Sequence, residues 1–198
     1  MRRFATVGLA ILSLTLLVSP PALAGETKED KDKQAKVTKE RQEIRKTAKD
    51  ILARLYKAQP NAKAAVEKAA GYAVFSNFGM KILVAGSGTG KGLAVDNKTK
   101  KETFMKMVEL QAGLGFGVKT FSLIWVFETP DTLKTFVNAG WELGGQTSVA
   151  AKAGEKGAAL QGAMPVSPGV WLYQLTETGL ALELTAKGTK YYKNDDLN

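Results

Sequence analysis

The sequence predicts an α+β fold: a curved antiparallel sheet, open or barrel-like, that carries two N-terminal helices and one inserted helix. Three observations predict it. Most of the 20 glycines lie after Gly71 among valines and aromatics, a mixture that favours strands joined by tight turns. An apolar stripe between residues 37 and 56 repeats at helical spacing. Thr129-Pro130-Asp131 then opens a further helical pattern in the middle of the strand-like region. With 198 residues, 44% hydrophobic and 24% charged, the chain has the length and composition of one globular domain.

Residues 1–24 read as a secretory signal peptide. Arg2-Arg3 precede an apolar run over 4–18, and Ala22-Leu23-Ala24 is an A-x-A-like cleavage site. The run falls short of the roughly 20 apolar residues that span a bilayer. Position 25 is Gly, not the Cys that a bacterial lipoprotein would carry. The expectation is therefore export to a bacterial periplasm or beyond, with peripheral membrane association open. Residues 25–34 are nearly all Lys, Glu and Asp, the composition of a solvated, flexible arm. A single domain is expected over 35–198, beginning with an amphipathic helix over 35–58.

That helix rests on Val37, Ile44, Ala48, Ile51, Leu52, Leu55 and Tyr56, which recur at spacings of seven, four and three. Arg41, Arg45, Lys49 and Lys57 lie off the stripe. Packing on the domain and lying on a membrane surface produce the same pattern. Pro60 starts a second helix over 61–70, stopped by Gly71. Tyr72-Ala73-Val74-Phe75 then reads as a strand, Asn77-Phe78-Gly79 as a turn, and 81–85 as a second strand leading into a glycine-rich run. Residues 93–95 continue it, 96–101 form a polar hairpin, and 102–110 return. Residues 121–127 are the most apolar strand and the candidate centre of the sheet. In the inserted helix Thr129 is a cap, Pro130 the first helical residue, and Leu133, Phe136 and Val137 the buried face, ending at Gly140. Residues 141–145 follow, then a strand over 147–151, a loop rich in Gly, Ala and Lys, and strands near 163–166, 170–175 and 179–185. The residues from Tyr191 to Asp196 read as a polar tail against the surface.

The absence of histidine and cysteine excludes Ser-His-Asp and Cys-His catalysis, thiolate or imidazole metal sites and disulfides. The run AGSGTGKG, with Gly86, Gly88, Gly90 and Gly92, comes within one residue of a phosphate-cradling P-loop. Gly92 stands where that loop needs a hydroxyl to hold magnesium, and the residues after Lys91 look like a strand, not a helix. The glycines are better read as sheet geometry, and no nucleotide is expected. Glu102, Glu109, Glu128, Glu142, Glu177 and Glu183 lie in or near strands, but nothing in their spacing sets two at a working distance. No enzyme, cofactor or metal is expected.

A formal charge of +9 points to anionic partners. Lys81, Lys91, Lys98, Lys100, Lys101 and Lys106 form the densest basic stretch of the domain, and a hairpin would bring several of them to one rim. A patch for anionic headgroups and a dispersed solvated surface both fit. The candidate lipid-binding set is Lys81, Lys91, Lys98, Lys100 and Lys101 with Arg41, Arg45 and Lys49 of the helix. Trp125, Trp141 and Trp171 fit core positions better than membrane anchors, and no exposed aromatic platform for nucleic acid is evident.

From residue 69 to 188 the chain resembles the SYLF domain family. The resemblance is carried by Ala70-Gly71-Tyr72-Ala73-Val74-Phe75, by Lys81 with Gly86-Ser87-Gly88 and Gly90, and by Ala112-Gly113-Leu114-Gly115-Phe116-Gly117. It continues through the apolar 124–127, Phe136, Gly144-Gly145 with Ser148-Val149-Ala150-Ala151, and Thr178-Gly179-Leu180. It implies a non-enzymatic phospholipid-binding domain whose N-terminal amphipathic helix and basic residues meet a membrane; fungal members associate with actin, and eukaryotic members bind phosphoinositides. Where the family reads Ser-Lys-Gly-Leu-Phe, this chain has Glu177-Thr178-Gly179-Leu180-Ala181, one lysine fewer. For an exported bacterial member the resemblance implies acidic bacterial phospholipid as partner, with an envelope protein as the alternative.

Overall fold

The computed structural model describes residues 27–82, 85–112, 117–143, 160–181 and 189–198. It begins with a capping box: the Thr27 hydroxyl accepts from the Asp30 amide at 3.2 Å, while the Asp30 carboxylate accepts from the Thr27 amide at 3.1 Å. These contacts start helix α1 (Lys28–Ala58), which contains most of the charged segment 25–34 expected to be a solvated, flexible arm. Alternating charge along 28–36 is compatible with a solvated helix, and those residues are all exposed. The stripe of Ile44, Ala48, Ile51 and Leu55 is buried. Helix α2 (Asn61–Lys68) follows Pro60 and buries Ala62 and Val66.

The sheet comprises β1 (Gly71–Ile82), β2 (Ala85–Asp96), β3 (Glu102–Ala112), β4 (Gly117–Phe127), β5 (Trp141–Leu143), β6 (Met164–Ser167), β7 (Val170–Thr176), β8 (Gly179–Ala181) and β9 (Thr189–Lys193). Helix α3 (Pro130–Ala139) stands between β4 and β5. The strands run antiparallel in the order β5-β9-β3-β2-β1-β4-β7-β6, with β8 beside β7, and curl into a half-barrel. The expected α+β class, with two N-terminal helices and one inserted helix, is the observed one.

Helices cover both faces. Ala73 and Phe75 of β1 face α3, together with Leu123, Trp125 and Phe127 of β4. Val74, Ile124 and Val126 face α1 and α2 instead. This two-sided burial explains why 121–127 reads as an uninterrupted apolar run. Phe136 of α3 sits at the centre of one core, with ring centroids 4.9 Å from Phe127, 5.2 Å from Trp125 and 5.5 Å from Tyr191. Trp125 and Trp171 are buried, and Trp141 packs against the first core, so these tryptophans are core residues as expected. The cap of α3 is the expected one: the Thr129 hydroxyl accepts from the Thr132 amide, Pro130 occupies the first turn, and Gly140 ends the helix at φ 76°.

Three expectations are corrected. Asn77-Phe78-Gly79 is not a turn, because β1 runs through it, paired with Gly90, Thr89 and Gly88 on one side and with Phe121, Thr120 and Lys119 on the other. Ladders on both sides outweigh the local turn preference. Lys81 therefore belongs to the first strand, one residue before its end, while Gly86, Gly88, Gly90 and Gly92 all belong to β2. The third correction concerns the tail: Thr189–Lys193 is a strand between β3 and β5, and Tyr191 is fully buried. The strand expected at 147–151 and the signal peptide lie outside the described residues.

Gly92 is opposite Phe75, and a Cβ there would run into the Phe75 ring. That ring is fully buried and held edge-on by Tyr191 at 4.9 Å and Phe136 at 6.1 Å. Gly92→Ala is expected to destabilise the fold by about 1–3 kcal/mol through overpacking; an unchanged denaturant midpoint would refute this. A second expectation concerns alkaline pH. Burial pushes the Tyr173 phenol up to about 12, and burial reinforced by Tyr72 and Glu67 does the same for Tyr56. The neutral phenols thus favour the folded state, so stability should be intact below the ordinary tyrosine value near 10 and fall as pH rises toward 12. Denaturation curves across that window should be flatter for Tyr56→Phe than for the unaltered chain.

Candidate functional site

The β2–β3 connection is a tight, cationic hairpin end. The Asp96 carboxylate accepts from the Lys98 amide at 2.9 Å and the Thr99 amide at 2.8 Å, and Lys100 closes the turn in the left-handed region at φ 59°. The Thr99 amide bond holds the Asp96 carboxyl below its usual range. Asn97 fastens this end to α2: its side-chain amide donates to Val66 O at 2.7 Å and to Ala69 O at 3.0 Å. Lys98, Lys100 and Lys101 are exposed and take part in no ion pair among the described residues. The nearby carboxylates are already engaged, Asp96 by the turn, Glu102 by Arg45 and Glu67 by Lys63. The hairpin end is therefore locally cationic on a fixed backbone.

The helix cations behave differently. Arg41 and Arg45 both lie over the Phe104 ring, with guanidinium carbons 5.7 and 5.1 Å from its centroid. Arg41 Nε also donates to Leu197 O at 2.9 Å, and Arg45 Nε to Glu102 Oε2 at 2.7 Å. These two arginines hold α1 on the sheet. Lys49, farther along the helix, is exposed. Lys91 is also exposed, with its Nζ 2.7 Å from Glu40 Oε1.

The expected basic set thus divides. Lys98, Lys100 and Lys101 gather at the hairpin end, and Arg41, Arg45, Lys49 and Lys91 belong to α1 and the sheet face beneath it. Lys81 lies near the opposite end of β1, opposite Gly86 and Gly117. At a rise of about 3.3 Å per residue that is roughly 30 Å from the hairpin end. The lysines from 81 to 106 do not share one rim.

Beneath α1 lies a feature that sequence reasoning missed: a cleft of about 470 Å³ between the helix and the sheet. Ile44, Ala48, Ile51 and Val74 form its apolar floor. Glu40, Lys91, Lys106 and Tyr192 stand at its mouth. Lys91 and Lys106 are cross-strand partners, and Lys106 Nζ lies 3.0 Å from Asp196 Oδ2. That hydrogen bond raises the Lys106 ammonium above its ordinary value and lowers the Asp196 carboxyl. The sequence signal for the cleft was the helix stripe itself, but not the gap left between it and the sheet. Among the described residues no group of three or more acidic side chains is placed to hold a metal, and no helix is long and apolar enough to cross a membrane.

A curled antiparallel sheet clasped by helices, with its glycines in a strand and not in a phosphate loop, defines an α+β sheet domain of the kind the sequence resembles. Residues 108–198 match the family model Ysc84, described as "Las17-binding protein actin regulator". The chain is also 36% identical over 154 residues to beta cell expansion factor A of Aeromonas veronii. The SYLF resemblance seen in the sequence is thus matched by this family model over residues 108–198 and by the similarity to this relative. That alignment covers 78% of this chain and 57% of the relative, so the chain spans less than two thirds of the relative's length. The family match begins within β3; the hairpin end and most of the cleft precede it.

Two of the three helix cations, Arg41 and Lys49, make different predictions. Arg41→Ala, which removes the Phe104 stacking and the bond to Leu197 O, should cost about 1–2 kcal/mol of folding stability. Lys49→Ala on the exposed face should cost less than about 0.5 kcal/mol. Equal shifts of the urea midpoint would show that Arg41 is not a packing residue.

Proposed function

We propose that the domain binds anionic phospholipid at a membrane surface, without chemistry of its own, and does so through the hairpin end formed by Lys98, Lys100 and Lys101. The observation that carries this reading is the exposure of those three lysines on a backbone fixed by Asp96 and Asn97, with the neighbouring carboxylates already engaged. Ammonium groups near an anionic bilayer contribute on the order of 1 kcal/mol each, and a preset turn lowers the entropy of presenting them together. Exposed Lys49 on α1 adds to the positive field. The apolar stripe of α1 does not take part, since Ile44, Ala48, Ile51 and Leu55 are buried against the sheet. The role expected for an amphipathic helix at the membrane therefore passes to cations alone. The signal-peptide pattern of residues 1–24 supports the periplasmic side of a bacterial envelope as the place where such a surface is met.

A second reading, a protein-interaction module of the cell envelope, is favoured by the family description, which names a protein partner. The two separate in one experiment. Co-sedimentation with vesicles containing phosphatidylglycerol should exceed that with phosphatidylcholine alone, and should weaken as salt rises. Replacing Lys98, Lys100 and Lys101 together by Gln should lower anionic-vesicle affinity by about tenfold to a hundredfold, given roughly 1 kcal/mol per lysine, with an unchanged thermal midpoint. Binding equal on the two vesicle types would reject the lipid reading and leave the protein-partner reading.

A further inference from the structure

We infer that the cleft beneath α1 is a site for one long-chain carboxylate, a single fatty-acid molecule whose tail lies along the helix and whose head sits between Lys91 and Lys106. The inference extends the lipid reading from a bilayer surface to an individual lipid, and it stands on different residues.

Four observations converge on it. The cleft volume of about 470 Å³ lies within the range of ligand pockets, roughly 300–1,000 Å³. Ile44, Ala48, Ile51 and Val74 give it an apolar wall suited to a hydrocarbon tail, while Thr47, Ser76, Thr89 and Glu43 also line it and supply polar groups. The helix wall between Glu40 and Ile51 is about 16 Å long at a rise of 1.5 Å per residue, which suits an extended hydrocarbon tail. At the mouth, Lys91 and Lys106 are neighbours across the β2–β3 ladder, and each already holds a carboxylate, Glu40 at 2.7 Å and Asp196 at 3.0 Å.

The chemistry of exchange is simple. Both ion pairs are partly open to water: Lys91 is 60% and Glu40 26% exposed in one, Lys106 38% and Asp196 81% in the other. Exposed pairs of this kind contribute little to stability, so a carboxylate brought in by a buried tail can replace either one. Glu40 and Asp196 would then turn to solvent. No bond is made or broken.

The test uses the full chain and dodecanoate held below its micellar concentration. One saturable site per chain is expected by calorimetry. Lys91→Gln with Lys106→Gln should weaken dodecanoate about tenfold while changing the uptake of neutral dodecanol less than about twofold. Thr47 is exposed and lines the cleft, so Thr47→Trp should block it. Should that variant fail to fold, a diazirine-bearing fatty acid gives the same answer by cross-linking to the segments around Ile44, Ile51 and Val74. Absence of a saturable site, equal affinity in the lysine variant, or cross-links confined to other elements would each overturn the inference. The triple hairpin variant keeps the two readings apart: it should lose vesicles and retain dodecanoate. Vesicle binding without dodecanoate binding removes the cleft site alone, and the converse removes the membrane-surface reading alone.

Discussion

The domain depends on a sheet that must be apolar in both directions at once. β1 and β4 are flanked by strands on both edges and by helices on both faces, so over Ala73–Phe75 and Leu123–Phe127 successive side chains alternate between two apolar cores. Phe75 and Val74 are adjacent in sequence yet serve opposite cores. The crowding is most acute where Phe75 needs room, and a glycine on the neighbouring strand supplies it.

Much of this was legible in the residues. The stripe from Ile44 to Leu55 and the Thr129-Pro130-Asp131 cap are local signals, and local signals survive into the fold when tertiary contacts agree with them. The errors share a cause. Asn77-Phe78-Gly79 has turn chemistry, and Tyr191-Tyr192-Lys193 looks like a surface tail, but both are strands because partners distant in sequence pair with them. No window of neighbouring residues contains that information. The same limit applied to the basic set: only register shows that Lys81 and Lys98 lie at opposite ends of the strands, and only packing shows that Arg41 and Arg45 cover Phe104.

What emerges is a division of labour among like charges. Guanidinium groups, planar and weakly hydrated, sit over an aromatic ring and hold a helix to a sheet, whereas ammonium groups, compact and strongly hydrated, remain in water at the hairpin end or at the mouth of the cleft. A net charge of +9 does not distinguish these uses. The side-chain chemistry does, and the lipid contacts proposed above fall on lysines alone.

The pairing of β9 with β3 has a consequence for synthesis. Met105 to Glu109 pair with residues 189–193, and the Phe104 amide is met by the Asn198 side chain, 94 residues further along. At about 5–20 residues per second, that edge of β3 emerges on the order of 5–20 s before the strand that covers it. During that interval it offers open backbone donors and acceptors to any extended chain nearby. Nascent chains interrupted short of residue 189 would keep the edge open indefinitely and would be the species most prone to self-association, whatever the stability of the finished fold.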